Sequence, residues 1–126
     1  MSEPLNEALR LQREAAAEGF DWTEAAGLWD KLAEEIGELK QAPDAAARTE
    51  ELGDLLFMAV NLARHLGVDP AAALACANAK FRRRYGYILK HLHELPPRGD
   101  PARLDRMEAL WQRAKALEKE ASSGDN

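Results

Sequence analysis

Apolar positions recur at steps of three and four along most of the chain, and no segment alternates in the manner of a half-buried strand. Alanine, leucine, glutamate and arginine dominate and β-branched residues are scarce, a composition that favours helix. The pattern and its punctuation predict five helices. The first spans Pro4 to Ala17 and stops at Gly19. The second follows Thr23, a good N-cap, and runs to Gln41 ahead of Pro43. The third covers Ala45 to Leu66 and ends at Gly67, a usual C-terminal stop. The fourth opens on Asp69-Pro70, a cap followed by proline at the first helical position, and reaches His91 before Pro96-Pro97. The fifth opens on the same device, Asp100-Pro101, and fades near Glu120. Residues 121–126 are small and polar and are expected to be a disordered tail.

Two of these helices differ in kind. In the second, Ala25, Leu28, Trp29, Leu32, Ile36 and Leu39 form a single stripe, with Glu35 flanking it, Glu38 further round and Glu34 the most solvated. In the third, Leu52, Leu55, Leu56, Ala59, Val60, Leu62, Ala63 and Leu66 make a broad apolar arc. Glu51, Asp54 and Asn61 lie opposite it with Phe57 and Met58, and no charge occurs between Leu55 and Ala63. A helix apolar nearly all round must be covered on both sides, and in 126 residues that calls for a second subunit. The expected architecture is an all-α, five-helix bundle, one domain over residues 1–120, completed by dimerisation.

Composition narrows the class. A content of 46% hydrophobic and 31% charged residues is that of a soluble globular protein. The longest run without charge, Pro70 to Ala79, is too short to cross a bilayer, so no membrane role is expected. Met1-Ser2-Glu3-Pro4 carries no leader pattern, and the single Cys76 excludes an internal disulfide; both fit a cytoplasmic setting. A net charge of −5 argues against nucleic acid as partner.

The charge is unevenly laid out. Residues 34–54 hold the acids Glu34, Glu35, Glu38, Asp44, Glu50, Glu51 and Asp54, whereas residues 80–91 hold Lys80, Arg82, Arg83, Arg84 and Lys90 with no acid. A cation-seeking and an anion-seeking segment together suit a metal-bound polyphosphate. Glu35 with Glu38, and Glu51 with Asp54, stand three apart and share a helix face; like charges that close repel unless a cation neutralises them. Oxygen-only ligands point to magnesium, with manganese as substitute, rather than zinc or iron. The Glu-x-x-His motif of di-iron bundles is absent, since His65, His91 and His93 follow Leu62, Ile88 and Lys90 at that spacing. The plainer alternative is two solvated acidic faces. Lys80, Arg83 and Arg84 share a face suited to phosphate oxygens, against the alternative of a basic patch near a helix C-terminus. Trp111 and Lys115, four apart, could stack a base and hold a phosphate, or the indole could be core.

The acidic clusters read Glu34-Glu35-Ile36-Gly37-Glu38 and Glu51-Leu52-Gly53-Asp54, which resembles the E-E-x-x-E and E-x-x-D signature of the MazG family of all-α nucleoside triphosphate pyrophosphohydrolases. The likeness extends to Gly19-Phe20-Asp21-Trp22, to Trp29-Asp30-Lys31, and to Val60-Asn61-Leu62-Ala63-Arg64. It reaches on through Asn78-Ala79-Lys80-Phe81-Arg82-Arg83-Arg84-Tyr85 and Leu110-Trp111-Gln112-Arg113-Ala114-Lys115. The resemblance implies magnesium-dependent cleavage of a nucleoside triphosphate between its α- and β-phosphates, giving a monophosphate and pyrophosphate, by a homodimer or larger assembly. It implies Glu35, Glu38, Glu51 and Asp54 as metal ligands and Lys31, Lys80, Arg84, Trp111 and Lys115 at the nucleotide; Arg83, on the basic face, and Asn61 are further substrate candidates, and Glu34 or Glu38 is the expected general base. Two departures are the short stretch between the acidic pairs and the presence of one such domain rather than a tandem. A narrow-specificity relative (a dUTP or dCTP pyrophosphatase, or a phosphoribosyl-ATP hydrolase) and a non-enzymatic helical interaction protein are the rival readings.

Overall fold

The computed structural model describes residues 3–123, and the described residues contain five α-helices and no strand. They are α1 (Pro4–Ala17), α2 (Ala25–Lys40), α3 (Ala45–His65), α4 (Pro70–Leu89) and α5 (Ala102–Ser123), with a single 3-10 turn at Leu92–Glu94 between the last two. The all-α expectation is met.

Local chemistry sets the helix ends. The Glu3 carboxylate accepts from the amides of Leu5 and Asn6, and Asp44 Oδ1 accepts from the Ala47 amide at 2.8 Å. Asp69 and Asp100 do the same for Ala71 and Ala102, so both Asp-Pro devices cap as expected. Past α3, Gly67 adopts φ +71°, which lets the Val68 amide return to the Ala63 carbonyl at 2.8 Å. Helices α2, α3 and α4 end one or two residues earlier than expected, at Lys40, His65 and Leu89, and two further boundaries differ from the sequence reading. The residue before α2 is Glu24 rather than Thr23, and its side chain makes no capping bond. The last helix does not fade at Glu120: Ala121 to Ser123 remain helical, because a run of good helix formers continues the last turns. The disordered tail expected over 121–126 therefore fails at 121–123, and its remainder, 124–126, lies outside the described residues.

The chain gathers into two compact units, Met1–Leu74 and Ala75–Asn126. In the first, α2 and α1 both pack on α3. Its buried apolar side chains are Leu9, Leu28, Met58 and Val60, of which Leu28 and Val60 are the largest fully covered. The stripe expected on α2 is only partly inside: Leu28 is 0% exposed, but Trp29 and Ile36 lie largely in the open because α3 covers one side of the helix. On α3 the broad arc is likewise half covered, with Leu52 and Leu56 exposed. The second unit holds the remainder of α4, the 3-10 turn and α5, and buries Ile88, Leu110 and Ala114.

Candidate active site

The acids of α2 and α3 meet where these helices pack. Carboxylate oxygens of Glu35, Glu38 and Glu51 lie within 4.8 Å of one another. Glu35 is only 6% exposed, Glu51 is half-buried and Glu38 is exposed. One oxygen in each of two members, Glu35 Oε2 and Glu51 Oε2, is covered and has no hydrogen-bond partner. Buried anionic oxygens left unpartnered are costly, and a hard divalent cation satisfies them. The Glu51 carboxyl is pushed above its ordinary 4.5, first by burial, then by a hydrogen bond with Glu38 and the charges of Glu38, Glu35 and Asp54. The donor set, all carboxylate with one ammonium, Lys31, at its edge, fits a hard divalent cation.

The other acids divide. Asp54, expected to complete the quartet, is exposed and stands outside the three-carboxylate cluster, one turn beyond Glu51, though its charge still acts on Glu51. Lys31 Nζ sits 3.4 Å from Glu35 Oε1 and 3.5 Å from exposed Glu34. Glu34's charge and the hydrogen bond to Glu35 hold the lysine above its usual range. The lysine thus orients one oxygen of Glu35 and leaves the other to the cluster.

Further along α3, C-terminal to the cluster, a cavity of about 500 Å³ opens between α1, the α1–α2 loop and α3. Its wall is apolar (Leu11, Phe20, Trp22, Phe57) with Gln12, Asn61 and Arg64 among its polar members. Asn61, expected from sequence at the substrate, lies on this wall and is 7% exposed. Seven residues separate it from Asp54, two helical turns or about 10 Å on one face. Gly27 admits the loop's Trp22: a Cβ there would stand 3.1 Å from the indole. Asp21 anchors the same loop by a two-pronged pair with Arg64, at 2.8 and 3.0 Å, and by His65 Nε2 at 3.1 Å. Those bonds, the one from Arg64 foremost, hold the Asp21 carboxyl far below the usual carboxylate range. Sequence reasoning missed Gln12, Asp21 and Arg64 as site residues. Gln12 left a trace, a polar residue three after buried Leu9 on the inner face of α1, whereas Asp21 and Arg64 are 43 apart and nothing local links them.

In the second unit, the basic face and the last helix come together. Arg84 Nε and Nη2 donate to Glu118 Oε2 at 3.1 and 3.0 Å, and Arg83 Nε donates to Oε1 at 3.2 Å. These bonds lower the Glu118 carboxyl below its ordinary value. The Arg84 guanidinium lies over the Trp111 ring, 5.2 Å from its centroid, and Phe81 packs 5.7 Å from the same ring. Trp111 is thus neither wholly core nor an open stacking platform. Lys80 and Lys115 are exposed and, among the described residues, form no ion pair. Glu118, the organiser of this cluster, carried no signal in the sequence beyond its place seven residues after Trp111.

The chain is similar to known proteins. The phosphoribosyl-ATP pyrophosphohydrolase (PRA-PH) family matches residues 3–80. The chain is 39% identical over 115 residues to the nucleoside triphosphate pyrophosphohydrolase/pyrophosphatase MazG of Thermotoga maritima, covering 88% of this chain and 44% of that protein. It is 41% identical over 119 residues to the nucleoside triphosphate pyrophosphohydrolase of Escherichia coli K12, covering 90% and 45% respectively. The chain therefore spans less than half the length of these relatives. A Bacillus subtilis protein, YabN, is 38% identical over 79 residues, 63% of this chain and 16% of its own length.

Proposed function

The chain belongs to the phosphoribosyl-ATP pyrophosphohydrolase family, within the MazG-like all-α pyrophosphohydrolases, and from that membership we propose that it hydrolyses nucleoside triphosphates to a nucleoside monophosphate and pyrophosphate. The observation that carries the reading is the carboxylate cluster with its two covered, unpartnered oxygens. Glu35, Glu38 and Glu51 would hold a magnesium ion, with Asp54 one turn away on the open side. The ion would neutralise the acidic wall and act as a Lewis acid toward phosphoryl oxygens. Glu38, exposed at the rim of the cluster, is the carboxylate best disposed to take a proton from water; Glu34 is occupied by Lys31. The apolar cavity two turns along α3 would take the nucleoside, with Asn61 at its edge. In the second unit, exposed Lys80 and Lys115 would offer positive charge for phosphate, and Arg83 and Arg84 would do so on release from Glu118, with Trp111 lying against the Arg84 fork. Residues 1–120 would work as one functional domain, paired as a homodimer in the cytoplasm.

The test is release of pyrophosphate from a mixed triphosphate pool with magnesium. Glu38→Gln should lower turnover more than about a hundredfold, since several kcal/mol of metal-dependent stabilisation are at stake, while the helical circular dichroism stays unchanged. Turnover near that of the unaltered protein in Glu38→Gln would remove the site assignment. No pyrophosphate from any triphosphate would remove the activity. The family match gives a specific reason to include phosphoribosyl-ATP in the same panel.

A further inference from the structure

The cavity further along α3 holds a hydrogen-bonding arrangement whose polarity is set by one residue. Arg64 spends four N–H groups inside this unit. Nη1 and Nη2 donate to the two oxygens of Asp21, Nη2 also donates to Asn61 Oδ1 at 2.8 Å, and Nε donates to Gln12 Oε1 at 3.2 Å. A guanidinium only donates, so the amide atom facing it must be oxygen in both cases. Neither amide is then free to turn over. Gln12 Nε2 donates one of its two N–H groups to a strong acceptor, the Phe57 carbonyl, at 2.8 Å. Asn61 Nδ2 has only the Met58 thioether, 3.6 Å away, a weak acceptor. A side chain more than nine-tenths buried on the wall of an apolar cavity thus keeps an unspent N–H donor.

We propose that Arg64, anchored by Asp21, is the specificity-determining positioning residue of this cavity: by fixing the amide of Asn61 it presents an N–H donor, which selects nucleobases bearing a carbonyl oxygen over those bearing an amino group at the same place. The proposal rests on the reading of the cavity as the nucleoside site. Its physical basis is the asymmetry of buried polar pairing. A carbonyl meeting Nδ2 completes both groups, whereas an amino group there brings two donors together and leaves each unpaired. The surrounding Phe20, Trp22 and Phe57 supply flat apolar contact that does not distinguish the two, so the sign of selection comes from the donor.

Uridine with cytidine at position 4, and inosine with adenosine at position 6, exchange oxo for amino and turn the adjacent ring nitrogen from N–H donor to acceptor, so the Asn61 variants are what assign any preference to the donor. Calorimetric titration of the four nucleosides without metal, and kcat/KM of their triphosphates with magnesium, should both favour the oxo member. The expected ratio is about tenfold in at least one pair, the size of one neutral hydrogen bond. Asn61→Leu and Arg64→Met should bring that ratio close to one, the first by removing the donor and the second by freeing the amide to turn. Asn61→Asp, which offers only acceptors, should invert it. A purely structural role for Arg64 would weaken both members equally and leave the ratio intact. A ratio near one or favouring the amino member in the unaltered protein overturns the proposal, whether or not every variant folds. So does an oxo preference that persists unchanged in Asn61→Leu or Arg64→Met. Oxo-selective nucleoside binding without pyrophosphate release would instead sink the hydrolase reading alone, and pyrophosphate release without oxo selection would sink only the donor.

Discussion

Glu51 shows how a single carboxyl links the site to the stability of the fold. Its proton is held more tightly in the folded chain than in the unfolded one, so the folded state binds more protons above the ordinary 4.5. Stability must therefore fall as pH rises through that region, and a bound cation should reverse the loss. The expected outcome is a cation-free melting temperature that drops between about pH 5 and about pH 8, above the usual carboxylate range, and a magnesium-induced rise that grows over the same interval. Glu51→Gln should flatten both trends; a magnesium response unchanged in that variant would count against the cluster as the cation's place. Asp21 has the opposite sign. Its folded carboxyl is depressed by Arg64, so the stability it contributes is present above about pH 4 and is lost below it. Asp21→Asn should make the acid limb of a pH–melting curve shallower; an unchanged acid limb would show that the loop anchor is not coupled to folding.

At the scale of the element, α3 bears most of what matters. It carries Glu51, Asp54, Asn61, Arg64 and His65, and packs against both α1 and α2. Its N-terminus rests on one side-chain bond, Asp44 Oδ1 to the Ala47 amide. Asp44→Ala should cost about 1 kcal/mol, as N-cap losses do, and lower the melting temperature by several degrees without moving the ratio of kcat to KM at low temperature. A loss of activity before any loss of helix would mean that Asp44 acts at the substrate and not as a cap. The asymmetric covering of α2 belongs to this scale too. Periodicity identified the stripe that includes Leu28, Trp29 and Ile36, but a neighbour on one side selects which part of a stripe is buried, and here only Leu28 is fully enclosed.

For the whole molecule, the open question is what covers the apolar side chains left at the surface. Phe20 is 85% exposed, and Leu52 and Leu56, one turn apart on α3, remain largely open. Contiguous exposed apolar residues mark contact surfaces. The proposed homodimer would bury the Leu52–Leu56 face. Sedimentation velocity should give twice the mass of the 14.0 kDa chain, and Leu56→Asp should return a helical monomer. A monomer at all concentrations for the unaltered chain would exclude dimerisation as the covering.

Much of this was written in the chain by itself. Helical periodicity, the Asp-Pro caps and Gly67 determined the number, order and most ends of the helices, because those signals act within one turn. The i,i+3 acids on α2 and α3 declared paired carboxylates for the same reason. Tertiary packing decided the rest. It brought Glu35, Glu38 and Glu51 within one ion's reach and kept Asp54 apart, since a meeting between two helices depends on their crossing and not on spacing along either. It also joined Asp21 to Arg64 across 43 residues and tied Glu118 to Arg83 and Arg84, giving purpose to side chains that read locally as ordinary surface charge. Local signals determine elements; only the packed fold determines which buried oxygen or amide is left without a partner, and that remainder is where the chemistry lies.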